Sequence, residues 1–242
     1  MKTIIIIPAR MASKRFPNKP MALIDGVPMI QRVWLQAKNS DIGPVIVACC
    51  EIEVFDLINS IGGTAIMTNP EHPSGTDRIF EALKKYQQAD HFDSIINLQG
   101  DMPLINPLDI KNVAIPLKQG FDIGTLVTNL SLEEESDPNI TKAKVSWIKI
   151  NNLGEVSDFY KISKKTIQNI YHHVGVYSFS YKSLKKFVEI NPTKNELKYK
   201  LEQLRAIDFD MKIAASYLEN VQISVDTKDD LIKVENIIKG IE

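Results

Sequence analysis

The chain has 242 residues, 44% hydrophobic and 24% charged, with a formal net charge of −1. Those figures suit a globular enzyme of one large or two small α/β domains and disfavour a general nucleic-acid binder, which carries a strong basic excess. Two adjacent cysteines, Cys49 and Cys50, make neither a disulfide framework nor a full zinc ligand set, and no apolar run reaches membrane-spanning length, so the expected setting is a reducing cytoplasm with both thiols at a buried strand end.

Taken in order, residues 3–7 read as a buried strand. Pro28 opens a helix to about residue 37, with Met29, Ile30, Val33, Trp34 and Ala37 at helical spacing. Residues 44–49 are the next strand and 54–61 the next helix, stopped by Gly62-Gly63. Residues 64–67 form a third strand, 75–86 a third helix and 94–98 a fourth strand. The remainder is less regular. A helix is expected at 107–118, a strand at 123–130, an acidic loop at 132–139, and strands at 145–150 and 173–179. Helices are expected at 181–189, 196–207 and 228–239. Strand–helix alternation implies a mainly parallel, Rossmann-like α/β sheet covered on both faces. The expectation is one domain spanning 1–242, with a β-rich insertion around 131–180.

Ligands of such sheets gather at the carboxyl ends of the strands. The densest polar cluster lies there: Ile7-Pro8-Ala9-Arg10-Met11-Ala12-Ser13-Lys14-Arg15-Phe16-Pro17-Asn18-Lys19-Pro20, with four cationic residues in ten positions. A triphosphate needs backbone N–H groups and fixed cations, which this stretch supplies; a solvated basic loop is the bland alternative. Neither a G-x-x-x-x-G-K-[ST] loop nor a G-x-G-x-x-G turn follows the first strand, which argues against P-loop ATPases and Rossmann dehydrogenases. Asp101 ends a strand and Asp226 follows the β-like run 221–225; two such carboxylates suit Mg²⁺, although Asp226-Thr227 also reads as a helix cap.

The first loop, together with His72-Pro73-Ser74-Gly75-Thr76-Asp77-Arg78, Asn97-Leu98-Gln99-Gly100-Asp101-Met102-Pro103, Leu201-Glu202-Gln203-Leu204-Arg205 and Val225-Asp226-Thr227, resembles the 3-deoxy-manno-octulosonate (Kdo) cytidylyltransferases, in family order and over nearly the whole chain. The resemblance implies a nucleotidyltransferase sheet of the nucleotide-diphospho-sugar transferase type with a small β-rich dimerisation lobe. It implies transfer of CMP from CTP to Kdo, with Mg²⁺ as cofactor, in a cytoplasmic homodimer serving lipopolysaccharide synthesis. Pro8, Ala9, Arg10, Ser13, Lys19, Ser74, Gly75, Thr76, Arg78, Gln99 and Asp101 are implied for the nucleotide. Gln99, His173, Tyr177, Glu202 and Gln203 are implied for the sugar, and Asp101 and Asp226 for the metal. Arg10, Lys19, Asp101 and Asp226 are the implied catalytic set. Tyr177, Phe179 and Tyr181 are candidates for a dimer surface or for core. The pattern departs from the family at Met102, where Glu is usual, at Cys49-Cys50-Glu51, where Thr-Asp is usual, and across 159–172, which is shortened. Activation of another acidic sugar (sialic acid, nonulosonate or amino-Kdo) and non-catalytic nucleotide binding are the competing readings.

Overall fold

A computed structural model describes residues 1–12, 16–86, 91–148, 152–162, 168–220 and 223–241. The chain groups into two compact units, Met1–Ile110 with Gln222–Glu242, and Lys111–Val221.

The first unit opens with β1 (Thr3–Pro8), whose Ile4, Ile5, Ile6 and Ile7 are wholly buried. They are apolar without alternation because parallel strands are covered on both faces. A hairpin of β2 (Leu23–Ile24) and β3 (Val27–Pro28), absent from the sequence reading, leads into α1 (Met29–Asn39). Met29, Ile30, Val33, Trp34 and Ala37 are the buried face of α1, as their spacing predicts. Next come β4 (Val45–Cys49), α2 (Ile52–Ser60), β5 (Thr64–Met67), α3 (Gly75–Lys85) and β6 (Ser94–Asn97). These strands run parallel in the order β5-β4-β1-β6. Their carboxyl ends share one edge, where residues 8–12, 50–51, 68–74 and 98–101 follow.

The helix expected over 107–118 divides into α4 (Pro107–Asn112) and α5 (Ile115–Lys118). Pro116 lacks the N–H that a continuous helix would use there. The second unit then holds β7 (Ile123–Thr128), β8 (Lys142–Trp147), β9 (Leu153–Tyr160) and β10 (Ile170–Phe179), followed by α6 (Tyr181–Glu189), α7 (Lys194–Tyr199), α8 (Leu204–Asp208) and β11 (Ile213–Tyr217). The expected strand at 145–150 starts three residues earlier as β8, and residues 149–150 lie outside the described residues. Neighbours run β10-β7-β11-β9-β8, and β8 also pairs with β10, so these strands close on themselves. The β7–β11 pair is parallel and the others are antiparallel. The parallel arrangement expected from the sequence thus belongs to the first unit, and the β-rich segment around 131–180 falls within the second. The helix expected over 196–207 is broken by Lys200, whose backbone is left-handed (φ 55°) and ends α7. The chain returns to the first unit for α9 (Lys228–Lys239), started by a capping box between Thr227 and Asp230.

Candidate active site

The loop after β1 is fixed at both ends. Ala9 N–H donates to the Ala48 carbonyl (2.8 Å) and Asn18 N–H to the Met11 carbonyl (3.1 Å). Glu51 accepts the Met11 N–H through Oε1 (2.9 Å), so the carboxylate noted as a departure in sequence anchors this loop. Phe16 is buried in a cluster with Ile24, Met29, Val225 and Val234. Between these anchors Arg10 is exposed. Ser13 lies outside the described residues, as do Lys14 and Arg15. Asn18, in left-handed conformation (φ 59°), turns the chain into a 3-10 turn over Lys19–Met21 whose Pro20 is buried.

That turn aims Lys19 at the two candidate metal ligands. Its Nζ donates to Asp101 Oδ2 (2.7 Å), Asp226 Oδ1 (3.3 Å) and the Val225 carbonyl (2.9 Å). Asp101 and Asp226 are brought together by the backbone bond from Val225 N–H to the Asp101 carbonyl (2.8 Å). The donor set is all oxygen with two formal negative charges, the chemistry that suits Mg²⁺, whose remaining positions are commonly filled by water and phosphate oxygens. Among the described residues no group of three or more His, Cys, Asp or Glu side chains could hold a metal.

The segment after β5 is built as a helix start. Ser74 Oγ accepts the Asp77 N–H (3.1 Å) and donates to Asp77 Oδ2 (2.6 Å), capping α3. Gly75 follows because a Cβ there would press on Pro8 Cγ (3.3 Å), with Gln99 Oε1 at 3.7 Å. Pro8, Gly75 and Gln99 therefore converge, as the sequence groups them. Thr76 and Arg78 are placed differently. Thr76 is buried and accepts from Asn97 Nδ2 (3.2 Å), while Gln99 Nε2 donates to Asn97 Oδ1 (3.0 Å). Arg78 is 2% exposed and donates to Thr68 Oγ1 (2.6 Å) and the Pro70 carbonyl (3.5 Å). Arg78 thus ties the 68–74 loop to α3, and Thr76 ties α3 to the end of β6. The outer side of that loop is held by Glu81. Partial burial opposes its charge, but bonds from Lys85, the Asn69 N–H and His72 dominate and lower its carboxyl to about 2. Burial pushes the Cys49 thiol up to about 12, with Cys50 and Glu51 adding to it, and also raises Cys50; neither is an activated nucleophile.

In the second unit His173 is buried beside Phe159 (5.0 Å) and Tyr177 (5.5 Å, ring centroids). Burial, then the charges of His172 and Lys161, depress its pKa to about 3, so the ring is neutral. Thr125 Oγ1 lies 2.9 Å from both His173 Nε2 and the Val176 carbonyl. Its one proton must serve the carbonyl, so the histidine donates from Nε2 and Nδ1 is the acceptor nitrogen. Thr125 carried no sequence signal, since its role depends on the β7–β10 register. The register shifts between Val174 and Ser178; His173 directly precedes that irregularity and Tyr177 lies within it. Burial and the nearby Glu202 raise the Tyr177 phenol well above its ordinary range, keeping it protonated. Glu202 and Gln203 occupy the turn between α7 and α8, not a helix face. Arg205 makes a buried, two-toothed ion pair with Glu196 (2.5 and 2.8 Å) and stacks on Phe187 (4.7 Å). Phe179 is buried against Phe187 (5.8 Å) and so serves the core.

The cytidylyltransferase family model matches residues 4–213. A 3-deoxy-manno-octulosonate cytidylyltransferase of Paramagnetospirillum magneticum is 42% identical over 240 residues, covering 98% of each chain. One from Rhodospirillum centenum is 38% identical, covering 97% of this chain and 93% of the relative. The chain belongs to the 3-deoxy-manno-octulosonate cytidylyltransferase family. A solved CMP:2-keto-3-deoxy-manno-octonic acid synthetase in complex with CTP superposes with a TM-score of 0.88 at 30% identity, covering 99% of both chains. This member of the family is therefore a nucleotidyltransferase with the α/β sheet of that enzyme. Its Met102, at 3% exposure, belongs to the core and offers no carboxylate to the edge.

Proposed function

We propose that this cytidylyltransferase joins the CMP moiety of CTP to the anomeric hydroxyl of Kdo and releases pyrophosphate. The observation that carries this reading is the convergence of Lys19, Asp101 and Asp226 at the carboxyl edge of a sheet shared with the CTP-bound synthetase. The sugar oxygen forms a bond to the α-phosphorus, the bond from that phosphorus to the bridging oxygen of pyrophosphate breaks, and the hydroxyl proton leaves to a base or to water. Asp101 and Asp226 would hold Mg²⁺, which when bound offsets charge on the phosphate oxygens. Arg10 and Lys19 bind the departing pyrophosphate. The loop over 9–12, held by Ala48 and Glu51, presents backbone N–H groups to the phosphates, and Ser74, Gly75 and Gln99 line the nucleotide edge. His173 accepts a sugar hydroxyl at Nδ1, the Tyr177 phenol donates, and Glu202 and Gln203 fix the remaining hydroxyls.

Among the described residues no helix is long and apolar enough to cross a membrane. On the same family reading the enzyme would act in the cytoplasm, as a homodimer, in lipopolysaccharide synthesis. The experiment is pyrophosphate release with Mg²⁺ and CTP, UTP or ATP, each with Kdo, N-acetylneuraminate or no sugar. Release with CTP and Kdo alone is expected. Release only with N-acetylneuraminate would refute the sugar, and folded protein silent with every pair would refute the transfer.

A further inference from the structure

Lys19 Nζ is ringed by oxygen: Asp101 Oδ2, the Val225 carbonyl and Asp226 Oδ1 at 2.7, 2.9 and 3.3 Å. An ammonium has three donors, and here each has an acceptor. Two of the acceptors are the carboxylates assigned to Mg²⁺. We infer that the Lys19 ammonium is an exchangeable occupant of the divalent-cation site, holding Asp101 and Asp226 together without metal and displaced when metal enters. This inference rests on the proposed Mg²⁺ reading of those two aspartates.

The argument is one of charge and room. Mg²⁺ approaches its oxygens to about 2.0–2.1 Å. An ammonium 2.7 Å from one of those oxygens would then sit beside a dication, and the like charges repel. Without any cation the two carboxylates would repel each other instead. Lys19 resolves that repulsion with one charge, and Mg²⁺ resolves it with two. Exchange is open to solvent because the Asp101 and Asp226 side chains are 24% and 36% exposed, so an entering hydrated cation reaches both carboxylates. The buried Pro20 anchors the turn that carries the lysine backbone while its head moves. The freed ammonium becomes available to nucleotide phosphates, so metal entry and phosphate capture favour one another, and that coupling is reciprocal.

The test is Mn²⁺ binding by electron paramagnetic resonance on the full, nucleotide-free chain, comparing wild type, Lys19→Met and Asp101→Asn, with thermal melts to verify folding. Lys19→Met is expected to bind Mn²⁺ about three- to tenfold tighter than wild type, because the metal no longer displaces an ion pair. Asp101→Asn is expected to bind more weakly than either. Equal affinity in wild type and Lys19→Met, with loss in Asp101→Asn, overturns the displacement and spares the metal site. Equal affinity in all three overturns the metal site itself. If Lys19→Met melts below the assay temperature, Lys19→Gln serves the same comparison. In the wild type, acetylation of Lys19 by an amine-reactive ester, followed by mass spectrometry, is expected to speed up on adding Mg²⁺. A rate unchanged at saturating Mg²⁺ contradicts the exchange.

Discussion

At His173 two effects act in the same direction: burial strips water from the ring, and His172 and Lys161 place positive charge near it. The folded pKa of about 3 lies below the ordinary value of 6.5, so the folded state resists the proton that the unfolded chain accepts. Stability from this residue is fully present above pH 6.5 and is lost as pH falls toward 3. Between pH 7.5 and pH 5 the wild type should lose about 2 kcal/mol relative to His173→Phe, as read from urea melts of both proteins. An unchanged difference would mean that the folded ring takes up a proton as readily as the unfolded one. The family resemblance implied a sugar role for His173, whereas its place before a strand pattern by itself reads as structural. The sequence carried no trace of Thr125 or the tautomer. The same limit applied to Lys19: the residue was legible within its loop, but its partners lie 82 and 207 positions away. Arg78 and Thr76 were legible as part of a motif, but their burial and their bonds to Thr68 and Asn97 were not.

The elements most legible in sequence were those whose periodicity had one cause. β1 is apolar throughout because both faces are covered, and α1 shows one buried stripe. β11 (Ile-Ala-Ala-Ser-Tyr) was missed, because a short, alanine-rich run has weak strand preference and gains its place by pairing with β7 and β9. β9 lacks a clean alternation: Leu153, Gly154, Val156 and Phe159 are buried, and its pairing with β8 shifts register, so no period-2 pattern marks it in sequence. The packing that sets these strands makes a sharp prediction at two glycines. In β7, a Cβ on Gly124 would fall 2.2 Å from the Val113 carbonyl and 2.4 Å from Ser178 Oγ, groups already bonded to each other at 2.6 Å. In β10, a Cβ on Gly175 meets nothing within 4 Å. Gly124→Ala should cost about 1–3 kcal/mol of unfolding free energy by overpacking. Gly175→Ala should stay within about 0.5 kcal/mol of wild type, as expected where nothing crowds the added methyl. Chemical denaturation of the pair checks both, and comparable losses would show that the strands yield to the added methyl.

For the whole molecule, the net charge of −1 means that a polyanionic nucleotide must be met by local rather than global charge. The residues assigned to the nucleotide belong to Met1–Ile110 and the returning Gln222–Glu242, whereas His173, Tyr177, Glu202 and Gln203 belong to Lys111–Val221. Each unit holds its own proposed set by its own bonds: Ala48 and Glu51 fix the loop after β1, and Thr125 and the break at Lys200 place the residues proposed for the sugar. Substitutions should then separate by substrate. Arg10 is exposed and assigned to pyrophosphate, whose charge grows as its bond to the α-phosphorus breaks. Arg10→Ala should lower kcat about 10- to 1000-fold, the range for losing one charged stabiliser of a transition state, with the Kdo KM changed little. Glu202→Gln keeps the shape of the turn but removes the charge beside Tyr177. It should raise the Kdo KM about tenfold, as expected for weakening a charged hydrogen bond, and leave the CTP KM near wild type. Initial rates over a grid of CTP and Kdo concentrations measure both constants at once. A rise in the CTP KM for Glu202→Gln matching that for Kdo would show that this carboxylate supports the nucleotide as well, and the division of labour between the two units would have to be abandoned.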